Sequence, residues 1–205
     1  MRKVILLTSC CIVALNLYAQ FSNELPYGLK EEIQLREQNV IVLTAPEDMV
    51  ERIKKEDSIG GKWGAPYAFP IRVNYTLENS GVWQELDDGS KIWCLKVNLP
   101  GSFATFPLFD KFWLPEGGKF FVYSEDTRQS IGAITSRNIG GSKDEPIMFR
   151  TPDIYGENVV YEYYQPAWVK ESPVISISDI YYGHRYRNNP YKNTSNLKPF
   201  NIIEQ

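Results

Sequence analysis

The sequence predicts a mainly β fold: an antiparallel β-sandwich of jelly-roll-like character, preceded by a short helical N-terminal segment. Three observations carry this. From Phe69 to Tyr182 the apolar residues alternate with polar ones or form short continuous runs, the patterns of half-buried and fully buried strands. Gly, Pro, Asn and Asp break these runs at roughly the 8–12-residue spacing of an all-β domain. Aromatic residues make up 14% of the chain, with 13 Tyr and 5 Trp, and large aromatics suit pleated, partly buried surfaces.

The strands follow in order. Phe69, Ile71, Val73, Tyr75 and Leu77 alternate with Pro70, Arg72, Asn74, Thr76 and Glu78, giving one apolar face. Asn79-Ser80-Gly81 turns the chain into Val82–Leu86, and Asp87-Asp88-Gly89 closes that strand in a hairpin signal, because Gly tolerates positive φ. Trp93, Leu95, Val97 and Leu99 form the apolar side of the next strand, up to the Pro100-Gly101 break. Ala104–Trp113 continues with mixed character, Leu114–Gly118 turns, and Lys119–Ser124 reads as a buried strand. Glu125–Gln129 is a hairpin loop into Ile131–Thr135, and Asn138–Glu145 is a Gly- and charge-rich loop. Further strands are expected near Ile147–Phe149, Asn158–Tyr164 and Val174–Tyr182. The expected core includes Phe69, Ile71, Val73, Tyr75, Trp93, Leu95, Val97, Phe121 and Val122.

Residues 21–60 differ. Asn39–Leu43 is a short apolar run of edge-strand type. Thr44-Ala45-Pro46-Glu47 is a capping-box pattern, and Met49, Val50 and Ile53 place one apolar stripe on a helix ending near Asp57. Ser58-Ile59-Gly60-Gly61 reads as a linker, which sets the sandwich at 61–187 and leaves 188–205 as a polar tail.

The first 20 residues read as a secretory signal peptide, with basic Arg2 and Lys3, an apolar stretch from Val4 to Leu17, and Ala19 at the cleavage region. A secreted or periplasmic protein is therefore expected. Leu7-Thr8-Ser9-Cys10 resembles a lipobox, but the apolar run continues past Cys10, which argues against a lipoprotein. No other segment is apolar enough to span a membrane. Cleavage removes Cys10 and Cys11 and leaves Cys94, read as a small buried hydrophobe. It also removes Arg2 and Lys3, so the formal charge moves from −3 to −5 (20 basic against 25 acidic residues), which argues against a nucleic-acid footprint, since that would need a basic patch.

A set of pieces in fixed order adds a resemblance. Trp63-Gly64 with Pro66 is followed by Gly81-Val82-Trp83, Trp93, Leu114-Pro115-Glu116-Gly117-Gly118 and Phe121–Asp126. Gly132-Ala133-Ile134, Phe149-Arg150-Thr151-Pro152, Tyr161–Pro166 and Ile177–Tyr186 complete it. The set is similar to the propeptide-like β domain that precedes the catalytic domain in secreted lysyl-endopeptidase-type, trypsin-like serine peptidases. The resemblance implies a non-catalytic module that binds, chaperones or inhibits a secreted serine peptidase, or a precursor cut short. It does not carry the activity over. His184 is the single histidine, it falls in the closing segment, and there is no Gly-Asp-Ser-Gly nucleophile turn, so a Ser–His–Asp triad is not expected.

Other chemistry is weakly signalled, and no catalytic, cofactor-binding or metal residue is assigned. Asp87-Asp88 and Glu125-Asp126 lack the spaced oxygen series of a calcium loop and suit turns instead. Glu157 and Glu162 have the residue types of a glycosidase pair without a spacing that places them across a bond. Gly117-Gly118 and Gly140-Gly141 open no helix that would cradle phosphate. The binding candidates are Trp83, Trp113 and Trp168, which the alternation leaves unplaced, with His184 and Arg185. A glycan- or surface-binding sandwich is the alternative to a peptidase partner, since exposed aromatics also serve sugar faces.

Overall fold

The structure, a computed structural model, describes residues 24–30, 40–58 and 66–185. The expected signal peptide, Trp63-Gly64, the Gly60-Gly61 linker, Tyr186 and the polar tail lie outside them. Thirteen elements follow in chain order: α1 (Tyr27–Lys30), β1 (Ile41–Val42), α2 (Met49–Ser58), β2 (Ala68–Thr76), β3 (Val82–Glu85), β4 (Lys91–Asn98), β5 (Ala104–Trp113), β6 (Lys119–Ser124), β7 (Ser130–Ile134), β8 (Ile147–Arg150), β9 (Ile154–Tyr155), β10 (Asn158–Gln165) and β11 (Val174–Gly183).

Side chains alternate across a strand, so each strand offers one face to the interior. In the first sheet, ordered β1-β4-β10-β6-β7 with β3 also on β4, the inward positions are Trp93, Leu95 and Val97, then Val159, Tyr161 and Tyr163, then Phe120 and Val122. In the second, ordered β2-β11-β5-β8 with β9 also on β5, they include Phe109, Phe112, Ile175, Ile177 and Ile180. These sets meet in one core, where Phe109, Phe112 and Phe120 pack edge to face at centroid distances of 4.9–5.5 Å. Pairing is antiparallel throughout except for β1, which adds to β4 in parallel. The mainly β, two-sheet sandwich expected from the sequence is the observed fold.

The hairpin at Asp87-Asp88-Gly89 joins β3 to β4. Asp88 Oδ1 accepts from the Ser90 amide (2.8 Å) and hydroxyl (2.5 Å), and these bonds hold its carboxyl below the usual range. Asp126 likewise accepts from Ser124 and Arg128 in the β6–β7 hairpin. Both are turn acceptors. The Asn79-Ser80-Gly81 turn crosses between sheets, since β2 and β3 lie in different ones. Its Gly81 has φ +68°, and a β-carbon there would strike the Cys94 carbonyl and the Trp93 indole. That indole donates to the Ser80 carbonyl (2.8 Å).

Described residues ahead of β2 are built into the sandwich. Ile41, Leu43, Ala45 and Met49 pack on the main core, and Arg52 lies 5.5 Å above the Phe69 ring. β2, which carries Phe69, is an edge strand of the second sheet; its exposed Pro70, Arg72 and Asn74 alternate with half-buried Ile71, Val73 and Tyr75. Arg72 pairs with Asp179 on the outer face (2.9 Å).

Phe121 is buried, as expected, but not in the core that holds Val122. Adjacent strand residues point to opposite faces, so Phe121 packs on the outer face of the first sheet with Cys94, Tyr123, Ala133 and Val160. This second, smaller cluster is covered by Tyr27 and Leu29 of the N-terminal segment.

A candidate binding cleft and a docked N-terminal strap

Three turns at one end of the first sheet build a cleft of about 390 Å³. The first, Leu114–Gly118, closes by a bond from the Gly118 amide to the Pro115 carbonyl (3.1 Å). The second follows β10, where the Val169 amide bonds to the Pro166 carbonyl (3.0 Å) and Gln165 Nε2 to the Val169 carbonyl (2.9 Å). This turn buries Val169 and throws Trp168 outward, 66% exposed. The third follows β7, where Asn138 Oδ1 accepts from the Thr135 amide (3.0 Å) and hydroxyl (2.8 Å).

Gly117, at φ +89°, lets Trp168 settle against the first turn, since a β-carbon there would collide with the ring. Glu116, Lys119, Thr135, Arg137 and Asn138 supply the polar lining. Arg137 and Glu116 stand 3.8 Å apart with both side chains about four-fifths exposed or more, a pair that solvent screens and a ligand can replace. Lys119 is already engaged: its ammonium donates to Glu24 (2.7 and 3.0 Å) and to the Tyr27 hydroxyl (3.2 Å). Burial alone would lower its pKa, but the bonds to Glu24 and Tyr27 outweigh burial and raise it.

Lys119 connects the cleft to the strap of residues 24–30. The strap crosses the outer face of the first sheet, where Tyr27 stacks on Tyr164 at a centroid distance of 3.5 Å. Beneath it lies Glu162, fully buried. Its carboxylate accepts from the Tyr27 amide (2.6 Å), the Gly28 amide (3.2 Å) and the Tyr123 hydroxyl (2.9 Å). Burial, and then the charge of Glu162, push the Tyr123 hydroxyl far above the tyrosine range, so it remains a donor. Glu157 accepts from the Gly101 amide (2.8 Å) before β10 begins. Roughly 16 Å of extended chain separates Glu157 from Glu162, beyond either glycosidase spacing.

A second hollow of about 300 Å³, between the β6–β7 hairpin and the turn into β10, is acidic, with Glu125, Asp126 and Glu157. Glu125 pairs with Lys96 (3.7 Å). Among the described residues, no group of three His, Cys, Asp or Glu is arranged to hold a metal ion. Among those residues, too, no helix is long and apolar enough to cross a membrane.

The five binding candidates are dispersed. Trp168 lines the cleft. Trp83, 39% exposed, donates its indole N–H to the Leu77 carbonyl (3.3 Å) and meets Tyr163 edge-on at 6.0 Å, closing the core beside β3. Trp113 is half-buried at the end of β5, opposite Val174. His184 stacks on Phe69 at 4.7 Å and accepts from Arg185 Nε (2.9 Å). Sequence reasoning did not find Glu116, Lys119, Thr135, Arg137 and Asn138 as cleft residues, because each sits in or beside a turn whose composition signals only a turn. Comparison with protein families, with curated proteins and with solved structures found no match.

Proposed function

We propose that this chain is an exported, non-catalytic binding module that engages a secreted serine peptidase through the cleft beside Trp168. The observation that carries the binding role is Trp168: a large apolar side chain left mostly in solvent, held by Gly117 and a hydrogen-bonded turn. Trp and Arg dominate the energetics of protein interfaces, and Arg137 shares the cleft. The acidic groups that raised other chemistry are engaged within the fold: Asp88 and Asp126 in turns, Glu157 with Gly101, Glu162 with the strap. The peptidase as partner rests on the ordered resemblance in the sequence.

A glycan is the second reading, favoured by one observation: an exposed indole beside Arg137 and Asn138 in a polar cleft is also a surface for a sugar ring. One experiment separates the two. The immobilised protein is exposed to the secreted fraction, bound serine peptidase is detected with a serine-directed covalent probe, and polysaccharide retention is measured in parallel. The expected result is a probe-labelled peptidase retained by the parent chain and lost with Trp168→Ala. Retention on a polysaccharide that Trp168→Ala abolishes, with no labelled peptidase, would favour the glycan.

A further inference from the structure

We propose that the outer face of the first sheet is a peptide-binding face. Its occupant is the turn peptide Glu24-Leu25-Pro26-Tyr27-Gly28-Leu29, which this chain supplies to itself and which the face also accepts in trans. This inference is independent of the Trp168 reading.

The face has the make-up of a recognition site. Cys94, Phe121, Tyr123, Ala133 and Val160 form an apolar floor, and polar groups converge on it at separate points. Glu162 takes two successive amides, those of Tyr27 and Gly28, so it reads the shape of the turn. Lys119 takes the Glu24 carboxylate. Tyr164 takes the Tyr27 ring, face on. Pro26 lets the turn close, with the Leu29 amide bonding to its carbonyl (3.1 Å). The Glu24 carboxylate, the Tyr27 ring and the amides of Tyr27 and Gly28 are each met by a group of the face.

The peptide is also separable in physical terms. Tyr27 and Leu29 pack on the outer cluster, whereas the core between the sheets is assembled from the strands, β1 and α2. With the peptide gone, the exposed face would carry Glu162, Lys119 and Tyr164, three groups that water solvates well, around a small apolar floor. Such a face can empty and refill without dismantling the sandwich.

The test uses the whole chain. A site-specific protease sequence is inserted after Gln34, the chain is cut there, and a labelled synthetic peptide of residues 22–30 is added. The expected result is that labelled peptide replaces the resident fragment at one equivalent per chain, and that a Tyr27→Ala peptide competes at least tenfold more weakly. In a Glu162→Gln chain, the parent peptide should bind at least tenfold more weakly. The peptide-side variant leaves the host untouched, so its result stands even if Glu162→Gln folds poorly. No exchange, or equal binding by the parent, Tyr27→Ala and scrambled peptides, would overturn the proposal.

Discussion

The Tyr123 hydroxyl donates to Glu162 across 2.9 Å, on the face of the first sheet that points away from the core between the sheets. Two residues that would form an ordinary surface pair on an open sheet are here buried beneath seven residues from the N-terminal end. Replacing Glu162 by Ala removes the acceptor for the Tyr27 and Gly28 amides together. A hydrogen bond to a charged group contributes about 1.5–3 kcal/mol. Amide exchange at Tyr27 and Gly28 should therefore accelerate at least tenfold in Glu162→Ala, while the amides of Leu95 and Val122 in the central strands stay protected. Equal acceleration in both regions would mean that the strap and the sandwich open as one unit.

The core between the sheets should respond differently. Phe109 is fully buried and meets Phe112, Phe120 and Phe149. Phe109→Ala should cost about 3–5 kcal/mol by denaturant unfolding. Met148→Ala, on the exposed side of β8, should stay within about 0.5 kcal/mol of the parent chain.

Most of this core was legible in the sequence, because alternation along β2 and from Leu95 to Leu99 at the end of β4 leaves one choice of face. The turns were legible as well, since Asn79–Gly81, Asp87–Gly89 and Leu114–Gly118 carry residues whose turn chemistry is local. The second face of β6 and β10 was not. A run such as Phe120-Phe121-Val122-Tyr123 says that both faces are buried, yet not what covers the outer one. The cover is a segment more than ninety residues away along the chain, and its docking depends on a carboxylate that periodicity treats as a surface residue. The two-residue β9 is too short for any periodic signal. The cleft is assembled from three separate turns, so no local stretch could announce it.

Gly117→Ala should act on binding through Trp168. The added methyl group collides with the indole and also forces a non-glycine residue to positive φ, at a cost of about 1–2 kcal/mol. Partner retention should fall to the level of Trp168→Ala while the chain still unfolds cooperatively. Undiminished retention would separate the ring's position from its role.

Cys94 reports on the strap, since its thiol is fully buried in the cluster that Tyr27 and Leu29 cover. In a chain whose Cys10 and Cys11 are replaced by Ser, a thiol reagent should label Cys94 slowly. Tyr27→Ala should raise the rate several-fold without lowering the unfolding midpoint to the same degree. A rate that tracks global stability alone would contradict this.

Strap docking has a defined pH window. The pKa of Lys119 is raised in the folded chain, so its contribution is complete below the unfolded lysine value and is lost as pH rises through the folded one. Docking through Lys119 should therefore be unchanged from pH 6 to 9 and weaken above about 10.4, the ordinary lysine value. NMR titration of labelled lysine side chains should show Lys119 among the last to lose its proton, and Glu24→Gln should bring it earlier.

The edge strand β2 has a further consequence. An unpaired strand edge is a template on which other chains can stack into fibres. Pro70 interrupts that edge with a residue that has no amide hydrogen, and exposed Arg72 sets a charge two positions further on. At high concentration this border should resist edge-to-edge growth, so β2, which among the described residues has a strand partner on one side only, need not become a seed for aggregation.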